Sequence, residues 1–190
     1  MSISPADNHS SKSITLLLDT NVWIDNFFEG RPKSKEARAL VTTAIKQNIP
    51  LFYSAGTIKD FYYLVSLQLK RDISNALSKT NAKAISEISW KLLDTLHKLG
   101  TAVGLDESDI WLAKKYRSIH GDFEDNLIIA AAQRANVTYL VTNDKKLILH
   151  APIAALTPKA VIELINDQQK CTLSQEPMRI FHRFLTYKYF

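Results

Sequence analysis

Short, continuous apolar runs alternate along the chain with longer stretches in which apolar residues recur at helical spacing. An apolar run that stops abruptly at polar residues is typical of a strand buried on both faces of a sheet, whereas apolar residues three and four positions apart indicate an amphipathic helix. The pattern predicts strands near residues 15–19, 50–53, 101–105 and 138–142, with a weaker edge strand near 153–156.

The predicted helices lie between these strands. One begins at Val22, one follows the polar residues Asp106 to Ser108 and runs to Tyr116, and the others cover residues 34–47, 57–69, 82–99, 126–134 and 158–166. Because strands that alternate with helices form parallel sheets covered on both faces, we expect a three-layer α/β/α sandwich with a central, mostly parallel sheet of four to five strands.

The alternation covers residues 14–166, which we expect to form one globular domain after a flexible N-terminus over residues 1–13. Residues 167–190 form a basic, aromatic C-terminal extension. Its aromatic and basic residues are consistent either with packing on the domain or with binding of single-stranded RNA.

Composition limits the class of protein further. The chain has 190 residues, 46% of them hydrophobic, and a formal net charge of +5, which suits a polyanionic partner without requiring one. Its single cysteine excludes an internal disulfide. No apolar run approaches the roughly 20 residues that span a bilayer. We therefore expect a cytoplasmic protein with no membrane partner.

Four aspartates follow strands or begin helices at equivalent points of the pattern. Asp19 and Asp144 come after predicted strands, while Asp60 and Asp125 open helices. Each one alone is explained by helix capping, which is the commoner role. In a parallel sheet, however, all four point into one cleft at the carboxyl edge of the strands. Their mutual repulsion favours a shared cation, and Mg²⁺ or Mn²⁺ together with a phosphate-bearing substrate fits oxygen ligands best.

Four segments that contain these aspartates resemble the PIN domain. They are LLLDTNVWID at residues 16–25, TIKDFYY at 57–63, DFEDNLIIAAA at 122–132 and LVTND at 140–144, and the Leu-Thr-Pro at 156–158 before a final helix also fits. This resemblance implies the metal-dependent ribonuclease fold found in VapC-type toxins of toxin-antitoxin pairs. RNA is then the expected substrate, and an antitoxin protein and a second copy of the chain are the expected partners.

The resemblance also implies roles for single residues. It places the catalytic carboxylates that hold Mg²⁺ or Mn²⁺ on Asp19, Asp60, Asp125 and Asp144, with Asn21 and Thr142 as polar supports and Arg31, Lys145 and Lys146 as contacts to substrate phosphates. Many relatives have Glu where this chain has Asp60, and some have Asn where it has Asp144. Direct metal contact by Asp144 is therefore open, as are contributions from Asp122 and Glu124.

Three functions compete at this stage. The first is hydrolysis of RNA by metal-activated water, which leaves a 5′-phosphate and a 3′-hydroxyl and needs no side-chain nucleophile. The second is an aspartyl-phosphate phosphotransfer domain, against which Asn21 argues because the dehalogenase-type pattern requires Asp at that position. The third is a non-catalytic module that binds RNA or protein, in which the aspartates are only caps.

Two predicted helices are more apolar than a single buried face requires. The excess lies at Trp23, Phe27 and Phe28 in the first helix and at Phe61 to Leu69 in the helix after the second strand. Core packing and an exposed groove for a partner both account for this pattern.

Overall fold

A computed structural model describes residues 13–76 and 82–170 of the chain. Its centre is a five-stranded, entirely parallel sheet with strand order β3-β2-β1-β4-β5. The strands are β1 Leu16–Leu18, β2 Leu51–Ser54, β3 Thr101–Val103, β4 Tyr139–Val141 and β5 Ala155–Leu156. The weakest of the predicted strands, β5, is present and lies at one edge of the sheet.

The central strand β1 shows why the sheet needs helices on both faces. Leu16 and Leu18 pack into one hydrophobic cluster and Leu17 packs into the other, and all three side chains are buried. Because successive side chains of a strand point to opposite faces, this run of leucines supplies both cores at once. The three-layer α/β/α sandwich predicted from the sequence is thereby confirmed.

The helices divide between the two faces of the sheet. They are α1 Thr20–Phe27, α2 Ser34–Lys46, α3 Ile58–Ala76, α4 Ala82–Leu99, α5 Glu107–Lys115, α6 Phe123–Arg134 and α7 Lys145–His150, followed by α8 over residues 158–170. The first four and α8 contribute to the cluster around Leu16, whereas α6 and α7 contribute to the cluster around Leu17.

Several elements differ from the predicted boundaries. Helix α3 continues to Ala76 instead of ending near residue 69, and α6 begins at Phe123 instead of Asn126. The predicted domain end at residue 166 falls inside α8. Helix α7 was not predicted, because its six residues are too few to show helical periodicity. Residues 1–12 and 171–190, and with them most of the predicted terminal segments, lie outside the described residues.

A buried ion pair attaches α6 to α5. The Asp109 side chain is fully buried and receives two hydrogen bonds from Arg134, from Nε at 3.0 Å and from Nη2 at 3.0 Å. Asp109 also completes a capping box with Asp106 at the start of α5. The ion pair offsets the cost of burying the Asp109 charge and joins α6 to α5.

The apolar excess in the two helices has different explanations. Trp23 and Phe61 are almost fully buried, so core packing accounts for them. Tyr63 in α3 and Trp90 in α4 are instead 64% and 57% exposed. Within the described ranges, no helix is both long and apolar enough to cross a membrane.

Candidate metal centre at the carboxyl edge of the sheet

Asp19 lies where β1 ends and α1 begins, and its side chain is only 5% exposed. Its backbone N–H donates to the carbonyl of Val141 at 2.9 Å, which places it beside the end of β4. Its carboxylate accepts a hydrogen bond from Thr142 Oγ1 at 2.8 Å and a longer one from the Asn21 backbone N–H at 3.4 Å. Asn21 thus supports Asp19 through its backbone, and its exposed side chain borders the neighbouring cleft.

Burial raises the pKa of the Asp19 carboxyl above its ordinary value. The hydrogen bonds from Thr142, Asn21 and Thr20 oppose this increase, and the negative charge of Asp144 adds to it. A carboxylate that is buried beside a like charge and lacks a cationic partner is poorly stabilised as an anion. A divalent cation at this edge would remove that penalty.

Thr142 connects Asp19 to Asp144. Its Oγ1 is buried and accepts the backbone N–H of Asp144 at 3.0 Å, so its own proton is directed to Asp19. Asp144 caps α7 by accepting the N–H groups of Lys146 and Leu147 with Oδ1. The cap uses one carboxylate oxygen, which leaves Oδ2 available to a ligand.

Asp125 lies in the first turn of α6, but it is not the cap of that helix. The cap is Asp122, whose side chain accepts the Glu124 N–H at 2.8 Å. The Asp125 Oδ2 atom lies 3.1 Å from His120 Nδ1. Burial raises the pKa of Asp125 to about 6, against an opposing effect of His120 and with further increases from the charges of Asp19, Asp122 and Asp144.

Potential ligand atoms of His120, Asp125 and Asp144 all lie within 4.8 Å of one another. Asp19 is coupled electrostatically both to Asp125 and to Asp144. Carboxylate oxygens that converge at this spacing beside a buried third carboxylate can together hold a hard divalent cation. The residues present therefore fit Mg²⁺ or Mn²⁺.

Asp60 is placed beside Glu124 and not within the group formed by His120, Asp125 and Asp144. The charge of Asp60 is the largest cause that raises the pKa of Glu124, followed by burial and by Asp122, while Lys59 lowers it. Asp60 lies in the first turn of α3, and Thr57, three residues before it, donates its hydroxyl proton to the carbonyl of Ser54 at 3.1 Å.

A cleft of about 360 Å³ opens beside Asp19 and Asp144. Its far side carries Arg31, whose guanidinium is ion-paired with Asp25, a side chain that is only 4% exposed. Asn143 lies 3.5 Å from the other oxygen of Asp25. Arg31 is thus held in place at the cleft, whereas the predicted phosphate contacts Lys145 and Lys146 are exposed on the first turn of α7.

Two parts of this site were not predicted from the sequence. His120 is one of them, although its position five residues before Asp125 can be read in the sequence. The pairing of Asp25 with Arg31 was also missed, and the only signal was an acidic residue in α1 six positions before an arginine.

The fold and the acidic edge define an α/β protein with a candidate divalent-metal centre. The chain belongs to the PIN domain family, whose sequence pattern it matches over residues 15–146. The resemblance identified in the sequence is thereby confirmed.

Solved structures with a similar fold include VapBC2 from Rickettsia felis bound to a DNA fragment from their promoter. The similarity has a TM-score of 0.54 at 16% identity and covers 76% of this chain and 98% of that chain. A toxin-antitoxin complex from Klebsiella pneumoniae and VapBC-1 from nontypeable Haemophilus influenzae each give a TM-score of 0.49 at 19% identity, with the same coverage of 76% and 98%. At these identities the likeness concerns the fold alone. Comparison with curated proteins gives no significant match.

Proposed function

We propose that this chain is a metal-dependent endoribonuclease that hydrolyses RNA phosphodiester bonds. The observation that carries the proposal is the convergence of His120, Asp125 and Asp144, whose potential ligand atoms lie within 4.8 Å of one another, with Thr142 hydrogen-bonded to both Asp144 and the buried Asp19. Membership of the PIN domain family supports the same activity.

The metal ligands in this proposal are Asp19, Asp125 and Asp144, and Asp60 lies beside Glu124 outside this group. Bound Mg²⁺ or Mn²⁺ would supply an activated water and charge stabilisation at the phosphate. Thr142 keeps Asp19 oriented by donating its only proton to it. Asp19 is nearly enclosed, whereas the Asp125 side chain is 25% exposed, so water and substrate would reach the metal more easily from the side of Asp125.

Arg31 is the best-placed residue for binding a substrate phosphate. Its pairing with the buried Asp25 restricts the guanidinium to the wall of the cleft that adjoins Asp19 and Asp144. A guanidinium held in this way binds a phosphate with little loss of conformational freedom. Lys145 and Lys146 add positive charge in the next turn and are free to follow a flexible RNA strand.

We further propose that the chain is the toxin of a toxin-antitoxin pair, that it acts in the cytoplasm and that it forms a homodimer. Solved structures of similar fold are described as VapBC and toxin-antitoxin complexes, which supports an antitoxin protein as a partner. The exposed Tyr63 and Trp90 support a protein contact on the surface of α3 and α4, where Trp90 also packs against Tyr62 with ring centroids 5.3 Å apart.

The test is cleavage of single-stranded RNA by the purified full chain in the presence of Mn²⁺ and in EDTA. Wild type should cleave only with the metal and should leave 5′-phosphate ends, and Asp19→Asn should not cleave. Asp94→Asn is the matched control, because Asp94 is exposed on α4, the helix that precedes β3, and is not part of the proposed site. Equal cleavage by wild type and Asp19→Asn would contradict the proposal.

The two competing functions give different results in companion measurements. A binding module whose aspartates only cap helices would bind RNA without cleaving it and would show no thermal stabilisation by Mn²⁺. A phosphotransfer domain would become labelled on an aspartate by acetyl phosphate. Capping by Asp19 and Asp144 is compatible with the nuclease, since it occupies only part of each carboxylate.

A further inference from the structure

The turn before α6 holds His120 rigidly beside the acidic group. Its backbone N–H donates to the carbonyl of Tyr116 at 3.1 Å, and its carbonyl accepts a hydrogen bond from Asn126 Nδ2 at 2.9 Å. The side chain is only 10% exposed. Both the backbone and the ring are therefore fixed before any ligand arrives, as metal-binding side chains require.

The two nitrogens of the His120 ring lack a consistent set of partners. Nδ1 accepts the Asp122 backbone N–H at 3.2 Å, which requires Nδ1 to carry a lone pair, yet it also lies 3.1 Å from Asp125 Oδ2, an acceptor. Nε2 is buried and has no hydrogen-bond partner among the described residues. Nδ1 has a single in-plane lone pair, so a cation held between Nδ1 and Asp125 Oδ2 would relieve their repulsion and would displace the Asp122 N–H from Nδ1.

The spacing of these atoms is that of neighbouring metal ligands. For an octahedral ion with ligand distances near 2.1 Å, adjacent ligand atoms are about 3.0 Å apart. The separation between His120 Nδ1 and Asp125 Oδ2 is 3.1 Å. One ring nitrogen of His120, one carboxylate oxygen of Asp125 and one of Asp144 lie within 4.8 Å of one another.

We propose that His120 is a nitrogen ligand of the metal centre and gives that centre a preference for Mn²⁺ over Mg²⁺. The inference rests on the metal-dependent function proposed above and adds a nitrogen ligand to Asp19, Asp125 and Asp144. Imidazole nitrogen binds transition-metal ions, whereas Mg²⁺ is held by oxygen atoms and keeps much of its water. A site with three carboxylates and one imidazole should therefore discriminate between the two ions.

A simpler arrangement competes with this one. A protonated His120 would form an ion pair with Asp125 and would orient that carboxylate without touching the metal. Both arrangements keep the imidazole close to Asp125, so loss of activity in a His120 variant would not separate them. The deciding property is whether nitrogen is bonded directly to the metal.

Pulsed electron paramagnetic resonance of Mn²⁺ on the full chain measures that property. Electron spin echo modulation should reveal one directly coordinated ¹⁴N in wild type, and labelling all histidines with ¹⁵N should alter that modulation without any substitution. His120→Asn should remove the nitrogen signal, whereas His150→Asn should retain it, because His150 lies exposed at the end of α7. Isothermal titration should show Mn²⁺ affinity falling about tenfold or more in His120→Asn, with Mg²⁺ affinity nearly unchanged.

The possible outcomes separate this inference from the proposed function. Bound Mn²⁺ without nitrogen modulation in wild type would overturn the ligand role of His120 and leave the metal-dependent nuclease intact. Equal losses of Mn²⁺ and Mg²⁺ affinity in His120→Asn would overturn the metal preference. Failure of wild type to bind Mn²⁺ at all would overturn both.

Discussion

Asp125→Asn should make the metal-free protein more stable and at the same time abolish its response to metal. Burial raises the pKa of Asp125 from 3.8 to about 6, so the folded state holds its proton more tightly than the unfolded state does. Stability in EDTA must then fall as the pH rises from about 4 to about 6, and the penalty is complete above that range. The neutral amide of Asn removes the penalty without changing the shape of the side chain.

The size of the effect follows from the same values. At about 1.4 kcal/mol for each pKa unit, the difference corresponds to about 3 kcal/mol for a fully enclosed carboxylate. The Asp125 side chain is 25% exposed, so water screens part of the unfavourable interaction. We therefore expect a gain of about 1 to 2 kcal/mol for Asp125→Asn, which for a protein of this size raises the melting temperature by about 3 to 6 °C.

Thermal melts at pH 7.5, in EDTA and with Mn²⁺, measure both effects. Wild type should gain about 2.7 kcal/mol when Mn²⁺ is present at about 100 times its dissociation constant, whereas Asp125→Asn should gain almost nothing. Asp94→Asn, which alters an exposed carboxylate on α4, should behave as wild type in both conditions. Destabilisation of the metal-free protein by Asp125→Asn would refute the reasoning, as would an undiminished response to Mn²⁺.

The remaining predictions concern the contacts around the site. Thr142→Val should lower the free energy of unfolding in EDTA by about 2 kcal/mol, measured with urea, because it removes a hydrogen bond to Asp19 and leaves a backbone N–H unpaired; an unchanged value would contradict this. Arg134→Met should lower the free energy of unfolding by about 3 kcal/mol in the same assay, because it leaves the buried charge of Asp109 unpaired. Arg134→Lys, which keeps the positive charge, should cause a smaller loss. Arg31→Gln, in the cleavage-inactive Asp19→Asn background, should lower the salt dependence of single-stranded RNA binding by about 0.7 in log–log slope, whereas an unaltered slope would exclude Arg31 as a phosphate contact.

The sheet could be predicted from the sequence because its strands are short apolar runs that stop at polar residues. In a parallel sheet the carboxyl ends of the strands share one edge, so the sequence alone predicts that Asp19 and Asp144 lie close together. The boundaries of α3 and α6 were less accurate, since helix ends depend on caps and tertiary packing more than on periodicity. Helix α7 is held by the Asp144 cap, a role that the sequence already offered for this residue, and by the burial of Leu147, which is visible only in three dimensions.

The role of His120 could not be predicted from sequence pattern in the same way. Its position depends on the Tyr116 carbonyl and on the Asn126 side chain, two contacts that no periodicity encodes. The pairing of Arg134 with Asp109 across 25 positions is similar, because two polar residues on separate helices give no local signal of contact. The periodicity of apolar residues therefore predicts which side chains are buried, whereas specific polar pairs form only in the assembled fold.

The most direct test of the central claim is anomalous diffraction from crystals of the full chain grown with Mn²⁺. We expect one strong anomalous peak at the carboxyl edge of the sheet, within coordination distance of the Asp125 and Asp144 carboxylates and beside Asp19. Crystals that contain saturating Mn²⁺ but show no peak at these carboxylates, or show one only elsewhere on the protein, would contradict the account.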